Sequence, residues 1–479
     1  MSRRTSHQAR LTASSAPARF THGQALVLGL FFVFAVAAVL LLMFNSGRAV
    51  DEKLRITNAA DAAAWSVATL QARALNYDAH TNRAIVANQI AIAQAVSLVS
   101  WMHYFESGVR NSGALARVAS SWLYNPAEYP RLLQVLATVT GSAYADAGMG
   151  GGSLAVIVDN LDRALATIVR VHDAVSSALS ASQTVMHASL AGGLAQTALA
   201  NDIVRRIDPA MRAELNLASY DFDRFTRSYA RPRRGNDERG RLADIVSRSR
   251  DGFTRERVWS IDGPDIPFLQ RNVKLKRRGG TELIGYDEWR AMDTLEHQGQ
   301  RLRKGRWRWQ RTPIAGAAAS VTAEDERSPQ RGHHGGSYRD NATTTKRYAE
   351  PSMVQLDEVG AHFSGLPTTR ELSELDEGAL HTTGITLRVG KSRGSLRTSG
   401  GSSIVQPGGR LQQFDVTIPG GQMVALSRAE VFFERPLPRT DARVERPSLY
   451  SPYWQVRLTN PTAADRAWAA LGQDGLALP

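Results

Sequence analysis

Hydrophobic positions along the chain follow three successive rhythms. From Ala25 to Phe44 they are continuous, 20 residues without a charge. From Ile56 they recur at alternating steps of four and three, through Ala60, Ala63, Val67, Leu70, Ala74 and Tyr77, and resume at Ile85, Ile92, Val96 and Val99. The first rhythm has the length that a helix needs to cross a bilayer, about 20 residues, whereas a cleaved signal has an apolar core of roughly 7 to 15. The second is the seam of a long amphipathic helix. No proline occurs between Ala18 and Asn125, so one rod is expected to run from the apolar stretch far beyond it.

Asn125-Pro126 and Tyr129-Pro130 break the pattern, and Gly148, Gly150, Gly151 and Gly152 form a joint. Ser153 is the expected N-cap of a second helix. Its seam is Leu154, Val158, Leu161, Leu165, Ile168, His172, Val175, Leu179, Ser182 and Met186, and its length is roughly 55 Å. Two such seams joined by a broken connector predict an antiparallel hairpin, with His172 a register residue inside it. Gly192-Gly193 should end this helix, and Asp208-Pro209 reads as the cap and first turn of another.

Beyond Arg231 the third rhythm begins, short β-prone runs between Gly, Pro and charged residues. Expected strands are 257–261, 273–275, 281–284, 306–309, 384–389, 414–418, 423–434 and 453–458. The fold class is therefore α+β: an N-terminal transmembrane helix continuing into a long helical hairpin, followed by a β-rich C-terminal region. Its expected divisions are a basic head (1–22), the anchor (23–47), a helical region (48–223), a basic β-containing region (224–322), a flexible loop or linker (323–350) and a β-rich region (351–479).

Charge refines this picture. The net charge is +13, and Arg224 to Arg311 alone holds 23 basic and 12 acidic residues, an excess of 11. The head carries Arg3, Arg4, Arg10 and Arg19 without an acid, which favours a cytoplasmic head over the Arg48, Lys53 and Arg55 side. The chain has no cysteine, so disulfides and thiolate metal sites are ruled out.

Candidate chemistry is sparse. Gly390-Lys391-Ser392-Arg393-Gly394 fits the G-x-S-x-G pattern of a nucleophile elbow, but "SLRTSGGSS" follows where a helix is needed. "GITLRVGKS" has five residues between its glycines, one too many for a phosphate loop, and its alternating Ile385, Leu387 and Val389 read as a strand. His333-His334 sit in a Gly-rich passage that reads as solvated loop more readily than as a metal site. The run "RKGRWRWQR" interleaves aromatics and cations, so Arg303, Lys304, Arg306, Arg308 and Arg311 are candidate contacts to an anionic surface. The blander reading places Trp307 and Trp309 in the core and the arginines in water. No cofactor, metal or nucleic-acid partner is expected, and no enzyme activity.

The stretch from "GQALVLGLFFVF" through "NAADAAA" (Asn58 to Ala64) to "ANQIAIAQ" resembles the TadG-like proteins of Flp (Tad) pilus assembly. "AEVFFERP" and "SLYSPYWQVRL" are similar to the C-terminal signature of the same group. The resemblance implies a bitopic inner-membrane protein with its bulk in the periplasm, a minor pilin-like or scaffold component. Its implied partners are the lipid bilayer, pilus-assembly inner-membrane proteins or pilin subunits, and further copies of itself through the long helices. The metal-binding signature of von Willebrand-type relatives is absent. Asn58 and Asp61, three apart on an alanine-built helix, are candidate contacts to a partner helix. The alternative is a membrane-anchored binder of anionic polymer or lipid through 224–311. Prepilin-like cleavage after Gly23 would leave Leu28, not glutamate, as fifth residue, so the head is expected to stay.

Overall fold

The computed structural model describes residues 22–120, 130–149, 152–219, 222–228, 240–323, 333–334, 339–373 and 382–473. The head expected over 1–22 lies outside them apart from His22, as do residues 229–239 of the basic segment and part of the glycine joint.

Helix α1 (His22–Arg110) is one uninterrupted element of 89 residues, roughly 130 Å at 1.5 Å per residue. It is rich in alanine, the strongest helix former. It is followed by α2 (Ser112–Ser120), α3 (Pro130–Gly148), α4 (Ser153–Leu190) and α5 (Leu194–Ile207). α4 runs antiparallel to α1: Tyr77 meets Ser182, Asn88 meets His172 and His103 meets Asp162. The long hairpin is therefore present, but its seam is turned from the expected one. Ile168 and Val175 lie exposed, while Asp162, Asp173, Ser176, Ser180, Gln183 and His187 are buried. The reason is a second neighbour. α4 also packs on residues 364–370, where Asp173 accepts from the Ser364 amide (3.0 Å), Ser180 donates to the Thr368 carbonyl (2.6 Å) and Gln183 accepts from the Arg370 amide (3.2 Å).

The start of α4 also departs from expectation. Ser153 is not its cap; the Asp146 carboxylate of α3 accepts from the Ser153 hydroxyl (2.8 Å) and the Leu154 amide (2.7 Å). α4 ends where expected, with Gly192 and Gly193 at φ 69° and 75°, a left-handed turn that only glycine takes freely.

The strands are β1 (Met211–Leu215), β2 (Thr226–Ser228), β3 (Trp259–Asp262), β4 (Gln270–Ile284), β5 (Glu288–Arg303), β6 (Arg306–Thr322), β7 (His333–His334), β8 (Met353–Gln355), β9 (Arg370–Leu372), β10 (Thr383–Ser392), β11 (Gln422–Phe433) and β12 (Trp454–Thr459). A first sheet has the order β1-β10-β11-β12, all antiparallel. A second has the order β3-β4-β5-β6-β8, with β7 on β4, and β2 pairs separately with β9. Asp208-Pro209 opens no helix: Asp208 caps the end of α5 and Met211–Leu215 is a strand instead. Its alternating burial, in at Met211, Ala213 and Leu215, is the period of a half-buried strand. Residues 414–418 form no strand, and within the stretch 323–350 helical turns at 342–349 bury Thr344, Thr345 and Ala349 against β6.

Both sheets wrap the same helix. The first covers the alanine face, with Ile56, Ala59, Ala60, Ala63, Ala64, Val67 and Ala68 buried alongside β10, β11 and α5. The second covers α1 from Val86 to Val109. A few charges of the basic middle segment are internal here. Arg257 reaches Asp293 with two bonds of 2.8 and 2.9 Å, Arg277 adds a third at 3.1 Å, and Ser100 of α1 donates to the same carboxylate at 2.8 Å.

His297 of β5 lies across from Leu275 and Thr312. Burial, with Arg301 adding like-charge repulsion, pushes its imidazole down to about 4 from an ordinary 6.5. Between those values the unfolded chain binds more protons than the folded one, so stability falls as pH drops through this window. The His297→Gln variant should lose less stability than wild type between pH 6.5 and 4, by at most about 3 kcal/mol; parallel urea titrations at the two pH values measure it.

Candidate functional site

Three surfaces of α1 and its cladding carry the residues singled out by sequence. The first is the seam just beyond the apolar stretch. Asp61 is half-buried and accepts from the Ser427 hydroxyl of β11 at 2.7 Å, whereas Asn58 is exposed. The pair is therefore split: Asp61 is engaged by the protein's own sheet, and Asn58 alone faces out. The same seam brings together the two ends of the chain that carry the resemblance. Asn76 donates to the Trp454 carbonyl and accepts from its amide, both at 3.0 Å, and Asn82 donates to the Leu449 carbonyl at 2.8 Å.

Below it sits an ion cluster that sequence reasoning missed. Lys391 at the end of β10 places its Nζ 2.8 Å from Glu52 Oε2 of α1 and 2.8 Å from Asp208 Oδ2, with Arg397 3.5 Å from Glu52 and Arg55 3.9 Å from Asp208. Glu52 and Lys391 are buried. Burial on its own would raise the Asp208 carboxyl; the bond from Lys391 and the Ala210 amide outweigh it and hold it below the usual range. Three separate parts of the chain supply these groups, so no local spacing announces them.

The second surface is the β5–β6 hairpin. Lys304 and Gly305 take left-handed φ values of 50° and 69°, the two-residue turn that suits a twisted hairpin. Arg303, Lys304, Arg306, Arg308 and Arg311 are all exposed at or near this tip; Arg311 also lies 4.0 Å from Glu296. The tryptophans are not in the core. Trp309 is 51% exposed, and Trp307 is capped by the Arg271 guanidinium 4.4 Å from its ring centre. Phe268 and Leu269 are exposed too, and the Leu269 carbonyl accepts from the amide of Leu302, the residue paired with Trp307. The hairpin extends beyond its contacts with α1, so the tip has no core to face. Its position is distal. Trp289, paired with Val321, meets Gln89, and Ala315 meets Gly108, so β6 runs toward the end of α1 and the tip continues past it.

The third surface is the apolar start of α1. Of Ala25 to Phe44 only Ala38 and Leu41 are buried; Leu26 to Val33 are exposed throughout. This stretch is long and apolar enough to cross a membrane. Elsewhere, Ser392 ends β10 and its hydroxyl meets that of Ser395 at 2.9 Å, followed by a three-residue turn. No group of three or more His, Asp or Glu side chains placed to hold a metal ion occurs among the described residues.

Such an arrangement defines a protein organised on one helix, bare and apolar where it begins and clad by two sheets where it continues. Within that class the chain has a specific likeness: residues 23–72 match the family model described as Flp pilus-assembly TadE/G-like, which links the chain to Flp (Tad) pilus assembly. The match covers the bare stretch and the alanine face, about a tenth of the chain. No curated protein and no solved structure matches the chain.

Replacing Lys391 by Met would leave Glu52 and Asp208 buried without their shared cation, an outcome that costs about 3 to 5 kcal/mol for a broken buried pair. The triple variant Glu52→Gln, Asp208→Asn, Lys391→Met should recover most of that loss. Denaturant midpoints of the single and triple variants in detergent decide the matter; equal loss in both would place the effect elsewhere.

Proposed function

We propose that this chain is an inner-membrane-anchored, non-enzymatic component of a Flp/Tad-type pilus assembly or secretion apparatus. In this reading it is a minor pilin-like or scaffold protein, with its head in the cytoplasm and its bulk in the periplasm. The observation that carries it is the coincidence of the family match with the bare start of α1: the residues that match the TadE/G-like model include those that have no cover in the folded chain. Water around such a run is strongly unfavourable, at about 25 cal/mol per Å² of apolar surface, so a bilayer or the helices of other subunits must take its place.

The clad part of the helix argues for a scaffold rather than a filament subunit. The alanine face, which would otherwise admit a partner helix, is already occupied by β10, β11 and α5. Contacts to other proteins are then left to the bare stretch, to exposed positions such as Asn58, and to the distal hairpin.

The hairpin supports a second reading, binding of an anionic partner. Its exposed arginines and tryptophans form a mixed cationic and aromatic surface. Along α1, Phe44 and Ser107 are roughly 95 Å apart. That distance favours a polymer or partner remote from the anchoring bilayer over its lipid.

Photo-crosslinkers placed at Phe32 and at Asn58 in intact cells should trap inner-membrane pilus machinery or pilin subunits. Recovery of the uncrosslinked monomer alone from both positions would count decisively against the assembly role. For the second reading, replacing Arg303, Arg306 and Arg308 together by Gln should weaken retention on an anionic polymer at least tenfold at low salt and leave the melting transition unchanged. Retention that is indifferent to both salt and substitution would remove it.

A further inference from the structure

The connection between β10 and β11, residues 393–421, hangs from the end of the first sheet that lies nearest the apolar start of α1, because Ser392 and Gln422 pair at that end. It is fastened there by Asn45, the residue that follows the apolar run. The Asn45 side chain is fully buried; it donates to Ser399 Oγ at 2.7 Å and to the Phe414 carbonyl at 3.0 Å, and it accepts from the Ser399 amide at 2.9 Å. The turn Gly409–Phe414 packs on α1. Leu41 and Ala38 lie four and seven residues before Asn45, on the same helical face. They are the two buried side chains of the apolar run. The connection therefore descends beside the helix past the point where the apolar run ends.

Its composition fits that depth. From Thr398 to Ile418 it holds one Arg and one Asp, where the chain's 22% of charged residues would place about five. Asp415 is paired with Arg393 at 2.9 Å. Ile404 is 102% exposed and Val405 stands out beside it, although both belong to a segment that is otherwise tied down at Ser399 and Phe414. Irregular backbone cannot enter the hydrocarbon core, where its amides and carbonyls would find no partners. It can lie at the boundary of headgroups and acyl chains, where interfacial segments sit about 5–10 Å deep. Ala38 to Asn45 covers roughly that distance, about 10 Å along the helix.

We propose that the β10–β11 connection is a membrane-interface loop, with Ile404 and Val405 seated in the headgroup and upper acyl region of the bilayer that α1 spans. The loop fixes how far the first sheet stands from the membrane and stops α1 from turning about its own axis. This inference rests on the reading of Ala25 to Phe44 as a span.

The absence of cysteine makes the test direct, since single labels need no background removal. Full-length protein carrying Ile404→Cys, Phe34→Cys or Val444→Cys is labelled with a polarity-sensitive fluorophore and reconstituted in vesicles of phosphatidylethanolamine and phosphatidylglycerol brominated at defined acyl depths. Phe34 lies at the middle of the apolar run and is the deep reference; Val444, 90% exposed on a loop between β11 and β12, is the aqueous one. The expected result is quenching of the Ile404 label by shallow bromines, of the Phe34 label by deep ones, and of the Val444 label by neither. If Phe34 is deep and Ile404 behaves like Val444, or is as deep as Phe34, the interface loop is overturned while the anchor stands. If Phe34 itself is aqueous, the span and this inference fall together.

Discussion

The close approach that α1 permits between Ile56 and Leu75 is the contact on which the rest of the structure depends. Alanine at 59, 60, 63, 64 and 68 leaves the helix slender, so that β10 and β11 and helix α5 come against it without a layer of large side chains between them. Larger residues there would force the cladding outward, and overpacking of this kind costs about 1–3 kcal/mol per site. A slender axle with cladding on more than one side also explains why the buried arc of α1 is wide along this length: residues 59, 60, 63, 64, 67, 68, 71, 72 and 75 are interior, and Asn58, Trp65 and Arg73 remain exposed.

Small apolar residues fit together in many registers, and they do not say how far along the axle a sheet should sit. Polar side chains supply that information. Asn45, Asp61, Asn76 and Asn82 each reach a specific atom of the C-terminal third of the chain, at Ser399, Ser427, Trp454 and Leu449. A slip of one helical turn would strand these groups without partners, at about 1–3 kcal/mol each for the buried Asn45 and Asn82. The buried triad of Glu52, Lys391 and Asp208 works in the same way, tying helix, strand and the end of α5 at one level.

Local rhythm made the long helices, their antiparallel pairing and the β-rich end legible, because each depends on neighbours three, four or two residues apart. Contacts between residues hundreds of positions apart leave no such local mark. Asp61, a candidate contact to a partner helix, accepts within the fold from Ser427, 366 positions later. Strand β5, "EWRAMDTLEHQGQRLR", has charges at both ends and in its middle and carries no clean alternation, since it is buried on both faces at its start and on neither at its end. Trp307 and Trp309 were expected in a core because alternation implies two faces; it does not reveal that the hairpin outgrows the helix beneath it. Ser153 lost its capping role to Asp146 of α3, which accepts from both Ser153 and Leu154 at the start of α4.

The second sheet is an insertion: it lies wholly between β1 and β10, while β1 pairs with β10 as if the intervening chain were absent. Synthesis runs in the other order. The alanine face of α1 is made early, and the strands that cover it are made last. With 366 residues between Asp61 and Ser427, and elongation at about 5–20 residues per second, the face waits on the order of 20 to 70 s for its cover. During that interval only α4 and α5, made long before β10 and β11, are at hand to shelter the face, so the helical layer of the fold can assemble well ahead of the sheet that completes it.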